Sequence, residues 1–329
     1  MRIPTVAAAI LVVALAGCGG TDEPNVREIK AGDCIAKDIA DEDDRAPDFD
    51  TVVDCSKPHV YEILAVIDIP KDGLAGKSEK ERLANRDDLA SLEFSENLSA
   101  EKRAFIGWAE TACDAAWTES TGMGDITLNG VSAEDARVLP AVGPAINLPW
   151  FNVASKKQWL AGNRQLICSA RFVEPGTGTM EEAPPVKPIS STNDEALIAA
   201  FGAPTFPAAL RSCDGADHCD QQHHSETLFL FDAQAAMDEN FVSEVNPKKP
   251  TDQQLDELAR VCAESLPALL SEDYDKSTIT SEAFIGMPWE QDYYMNVGCE
   301  IVPSDSSKDF GPGSLIWTDA KDVELVDAK

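Results

Sequence analysis

Apolar residues recur at helical spacing in two well-separated stretches of the chain, and each stretch carries one cysteine on its apolar stripe. In the first, Phe105, Trp108, Ala109, Ala112, Cys113, Ala116 and Trp117 follow a helical period from a start near Ser99. In the second, Leu255, Leu258, Ala259, Cys262, Leu266 and Leu269 do the same, and Thr251 with Gln254 forms a capping-box signature at its start. A strand-like run precedes each helix, Val60 to Asp68 in the first half and the apolar residues after Glu226 in the second. A tryptophan and a strand-like cysteine segment follow each, Trp159 to Cys168 and Trp289 to Cys299. The charged stretch Lys77 to Phe94 predicts a further exposed helix, and Ser314 to Trp317 a last short strand. This order predicts an α+β fold of two related modules, each a small, mostly antiparallel sheet with a disulfide-pinned helix.

A shared motif ties the two halves together. Cys55-Ser-Lys-Pro-His59-Val-Tyr-Glu62 and Cys219-Asp-Gln-Gln-His223-His224-Ser-Glu226 share the pattern Cys-x3-His-x2-Glu, each leading into an apolar run. Between the halves, the stretch from Glu174 to Asp194 is rich in proline, glycine and small polar residues, with Pro184-Pro185 at its centre. The expected organisation is a first domain over 26–174, a linker over 175–194 and a second, degenerate domain with a polar tail over 195–329.

The N-terminus changes the setting. Arg2, the apolar run Ile3 to Ala16 and Leu15-Ala16-Gly17-Cys18 have the arrangement of a bacterial lipoprotein signal, so residues 1–17 are expected to be removed and Cys18 lipidated. The apolar run is too short for a membrane span. Residues 18–25 then form a tether; Gly19 to Asn25 reach at most about 25 Å before an expected first strand at Val26. The membrane is therefore an expected partner through lipid alone, on the extracytoplasmic face. The formal net charge of −31 argues against nucleic acid and supplies no polybasic patch for anionic headgroups.

An extracytoplasmic address also decides the cysteine chemistry. Setting Cys18 aside leaves eight of the nine cysteines: Cys34, Cys55, Cys113, Cys168, Cys213, Cys219, Cys262 and Cys299. Outside the cytosol these read as disulfides before they read as metal ligands. A cysteine on the buried face of a helix can reach one on the inward face of a strand beneath it, which predicts Cys113–Cys168 and Cys262–Cys299. Pairing the remainder within each half gives Cys34–Cys55 and Cys213–Cys219.

Gly32-Asp33-Cys34, Cys55-Ser-Lys-Pro58-His59 with Glu62, the helical Cys113, and Trp159-Leu-Ala-Gly162 before Cys168 resemble the septum-formation domain of actinobacterial envelope proteins. The resemblance covers residues 30–173 and extends weakly over 211–302. There Asp214 and Gly215 follow Cys213 instead of preceding it, Gln222 replaces the proline, and no glycine follows Trp289 at the expected place. It implies an anchored module associated with cell division, with an envelope or division protein as partner and no catalytic residues to carry over.

Several residues invite a chemical role. His59 with Glu62, and His223 with Glu226, could act as acid–base pairs or metal ligands, as a wall hydrolase would require. With Val60 to Asp68 as a strand, however, residues three apart project to opposite faces, so His59 and Glu62 are not expected to converge. Histidines in such a turn suit a structural role, donating a ring N–H to a backbone carbonyl. Cys213, Asp214, Asp217, His218, Cys219, Asp220, His223 and His224 make the chemically densest segment, an alternative site for a metal or small solute. If the cysteines are oxidised, only histidines and aspartates remain as ligands. Asp38 to Asp50 reads as a solvated acidic loop, because it lacks the glycine and closing glutamate of an EF-hand. The six tryptophans read as core in preference to a sugar-stacking face. No serine-nucleophile, metalloprotease or phosphate-loop motif is present. The expectation is a non-enzymatic binding or scaffold lipoprotein without cofactor.

Overall fold

The computed structural model describes residues 28–36, 52–69, 100–143, 146–173, 187–203, 206–214, 219–246, 249–270, 275–285, 296–316 and 324–328. Cys18, the acidic loop, the segment 77–94, the expected strand start at Val26, His218, Trp289 and Trp317 lie outside these residues.

The first sheet contains β1 (Cys34–Ile35), β2 (Val52–Val53), β3 (Tyr61–Asp68), β7 (Ile146–Val153) and β8 (Gln165–Phe172), in the order β2-β1-β3-β8-β7. Helix α1 (Ala100–Ser120) joins β3 to the strands beyond it and packs on β3, β7 and β8. The second sheet orders β11 (Ile279–Ile285), β12 (Asn296–Pro303) and β10 (Ser225–Asp232), with β9 (Cys213–Asp214) and β6 (Leu139–Pro140) both pairing with β10. Helix α5 (Asp252–Leu269), which follows the short helices α3 (Ala233–Ala236) and α4 (Glu239–Glu244), packs on β11 and β12. A five-residue helix, α2 (Lys156–Leu160), lies between β7 and β8.

Local chemistry explains these elements. Leu258, Val261, Cys262, Ser265 and Leu269 form the buried stripe of α5. Its start is fixed reciprocally: Thr251 Oγ1 accepts from Gln254 N at 3.3 Å, and Gln254 Oε1 accepts from Thr251 N at 2.9 Å. Asn129 and Gly130, with φ of 55° and 82°, make the two-residue turn between β4 (Thr127–Leu128) and β5 (Val131–Ser132). Such a turn needs two residues that tolerate left-handed backbone.

The two sheets agree in detail. Cys34 stands opposite Glu62 on β3, and Cys213 stands opposite Glu226 on β10. A bulge interrupts β3 between Ile63 and Ala65, and another interrupts β10 between Thr227 and Phe229. Immediately after the bulge, Ala65 pairs with Cys168 and Phe229 with Cys299. The disulfides are Cys34–Cys55, Cys113–Cys168, Cys213–Cys219 and Cys262–Cys299, so each main helix is bound to the strand beneath it.

The two sheets share their core. One cluster runs through both sheets, from Trp117, Trp159 and Phe172 to Phe229, Phe231, Leu258 and Ile301. The segment after α1 crosses to the second sheet: β6 adds to β10, and Ala136 O accepts from Asp232 N. Within the expected linker, Ile189 exchanges backbone hydrogen bonds with His59, and Ser191 N donates to Cys55 O. A polar, proline-rich composition did not prevent these residues from pairing, because the turn around His59 leaves backbone groups that must be satisfied.

Candidate functional site: two histidine–glutamate nodes

Each Cys-x3-His-x2-Glu motif forms a buried polar node where a cysteine loop enters its strand. His59 and Glu62 are fully buried, as are Glu226 and, to 1% exposure, His223. Both histidines are held by their backbones, His59 to Ile189 and His223 to Phe310, in short antiparallel bridges. Both rings place Nδ1 2.8 Å from the carbonyl two residues back, Lys57 O and Gln221 O. A carbonyl only accepts, so each Nδ1 carries a proton.

Beyond that point the nodes diverge. His59 Nε2 lies 2.9 Å from Glu62 Oε1, which overturns the expectation that the two would not converge. The reason is local: β3 begins at Tyr61, so His59 sits in the preceding turn and its ring folds back over the strand. Glu62 Oε1 also accepts from Leu197 N, and Oε2 from Ile198 N, both at 2.8 Å. The carboxylate thereby pins the turn at Leu197 and Ile198 to the first sheet.

At the second node, Glu226 accepts from the Ser314 hydroxyl and, at 2.7 Å, from Leu315 N. His223 Nε2 is buried and makes no hydrogen bond. The cation here is Arg211, stacked at 5.0 Å and 5.1 Å on the rings of Phe201 and Phe206 and donating Nη2 to Phe201 O. Burial pushes its pKa down to about 10, against the pull of Glu226, so the guanidinium stays charged at neutral pH. Burial also pushes the Glu226 carboxyl up, opposed by Arg211 and by the bonds from Ser314 and Leu315.

The chain matches no known family model, no curated protein and no solved structure.

Two clusters place metal-ligand atoms within 4.8 Å of one another among the described residues: Cys34, His59 and Glu62, and Cys213, Cys219 and His223. All three sulfurs concerned belong to disulfides, Cys34 with Cys55 and Cys213 with Cys219. The two described histidines of the dense second segment, His223 and His224, do not converge. His223 points inward, while His224 is exposed and meets Asp309 Oδ1 at 3.1 Å. Arg211, Ser314 and the amides of Leu197 and Ile198 were not singled out from the sequence. A single arginine within the apolar run Phe206-Pro-Ala-Ala-Leu-Arg211 was the available cue for the first. The others act through partners more than 80 residues away, which no local pattern reveals.

Proposed function

We propose that this chain is a lipid-anchored extracytoplasmic lipoprotein, built from two copies of one α+β module, that serves as a non-enzymatic binding scaffold in septum formation or cell-wall maintenance. The observation that carries the reading is the full pairing of the eight cysteines beyond Cys18 into four disulfides, as an oxidising compartment favours. Matching strand order, bulge position and cysteine register in the two sheets support the duplication. The non-enzymatic part rests on Glu62 and Glu226, which spend their oxygens on main-chain and serine donors inside the fold instead of on a cleft. The link to division rests on the resemblance of the first half to the septum-formation domain.

Metabolic labelling with a palmitate analogue tests the anchor. The wild-type chain should take up label and fractionate with membranes, and Cys18→Ala should do neither; equal labelling of the two sinks the anchor. Crosslinking in intact cells tests the partner. Recovery of division or wall-synthesis proteins is expected, and their absence from the crosslinked species ends the septum reading.

A further inference from the structure

We propose that reduction of the Cys213–Cys219 disulfide opens a zinc site whose ligands are the two thiolates and His223. Both sulfurs and a ring nitrogen of His223 already lie within 4.8 Å of one another. A tetrahedral zinc holds sulfur and imidazole donors about 3.5–3.8 Å apart, given zinc–sulfur and zinc–nitrogen bonds of about 2.3 and 2.0 Å. Once the sulfur–sulfur bond is cut, the donors therefore need only small movements.

His223 supplies the independent pointer. Its Nδ1 is committed to Gln221 O, which leaves Nε2 as the ring nitrogen open to a metal, and that atom is buried with no hydrogen bond. A buried imidazole nitrogen without a donor is costly unless something occupies it. The equivalent atom at the first node is already taken by Glu62. That node therefore offers no unbonded imidazole nitrogen, although its cysteine, histidine and glutamate ligand atoms also lie within 4.8 Å of one another.

The same disulfide is the one best placed to open. Cys213 is half-buried on the two-residue edge strand β9, while the seven other paired cysteines are buried. Its sequence separation is 6, against 21, 37 and 55 for the other bridges, so opening it releases the least chain constraint. The reductant is a dithiol or a pair of thiols, which supplies two electrons and two protons and leaves as a disulfide. Zinc(II) then displaces the two cysteine thiol protons to solvent, and water completes the fourth position. This inference does not depend on the scaffold reading.

Full-length protein purified without a histidine tag would be treated with a limiting phosphine reductant, which becomes its oxide by taking oxygen from water. It would then be alkylated for peptide mapping or dialysed against zinc alone. Label should appear first on Cys213 and Cys219, and reduced protein should hold one zinc per chain where oxidised protein holds none. Cys213→Ser with Cys219→Ser should stay folded and bind no zinc, and His223→Gln should weaken binding at least tenfold. First labelling at another cysteine pair, equal zinc on oxidised protein, or wild-type binding by the double serine variant would each overturn the proposal.

Discussion

At the first node His59 and Glu62 satisfy one another, whereas His223 and Glu226, set in the same register opposite the same kind of cysteine, do not. The carboxylate takes a backbone amide in both cases, but its side-chain partner differs. Glu62 has the adjacent imidazole, and Glu226 has a guanidinium brought in from Arg211. The backbone frame is thus compatible with more than one way of neutralising a buried acid. Supplying the cation from elsewhere frees a histidine nitrogen without altering strand order, bulge or disulfide.

The largest effect is expected at the closed node. Glu62→Ala leaves His59 and the amides of Leu197 and Ile198 without their acceptor, and should cost about 3–5 kcal/mol by urea denaturation. A loss below about 1 kcal/mol would mean that water replaces the carboxylate and that the closed node is not what holds the turn at Leu197 and Ile198 to the sheet.

The disulfides give a graded comparison. Replacing Cys113 and Cys168 by serine opens a separation of 55 and should cost about 4 kcal/mol on the chain-entropy model, with the Cys262–Cys299 pair, at 37, close behind. Replacing Cys213 and Cys219 opens a separation of 6 and should cost about 2 kcal/mol. Calorimetric melting of the three double variants checks the ranking. Equal losses would show that the short bridge does more than close its loop.

The smallest effect concerns pH. Burial raises the Glu226 pKa above its ordinary value of 4.5, so the folded chain retains a proton that the unfolded chain releases. Its contribution is complete below that ordinary value and is lost as pH rises through the folded one. Glu226→Gln cannot titrate, so its melting temperature should gain on that of the wild type as pH rises above 4.5. Parallel melting curves across that range would show that Arg211 and the hydrogen bonds outweigh desolvation.

Much of this architecture was legible before any coordinates. Cysteines on helical stripes and on strand-like runs predicted Cys113–Cys168 and Cys262–Cys299, pairing the remainder within each half gave the other two bridges, and Thr251 with Gln254 marked the start of α5. The Cys-x3-His-x2-Glu repeat located both nodes, and the histidine Nδ1 contacts are of the backbone-satisfying kind that the motif suggested. Period-two alternation does not reveal the convergence of His59 with Glu62, because it applies only inside a strand and β3 begins after the histidine. The expected linker shows the same kind of limit. Composition predicts polarity, but Ile189 pairs with His59 because an unsatisfied turn lies opposite it.

What the sequence determined by itself is therefore what depends on local spacing: helix faces, caps, the cysteine partners and the repeated motif. The tertiary structure alone decided how each buried acid is neutralised and how the two sheets come to share a core. Both depend on groups distant in the chain, such as Arg211 against Glu226, Leu197 against Glu62, and β6 against β10. Burial makes such partners obligatory, since an unpaired buried charge or amide costs more than a folded chain can spare, but it does not specify where along the sequence they come from.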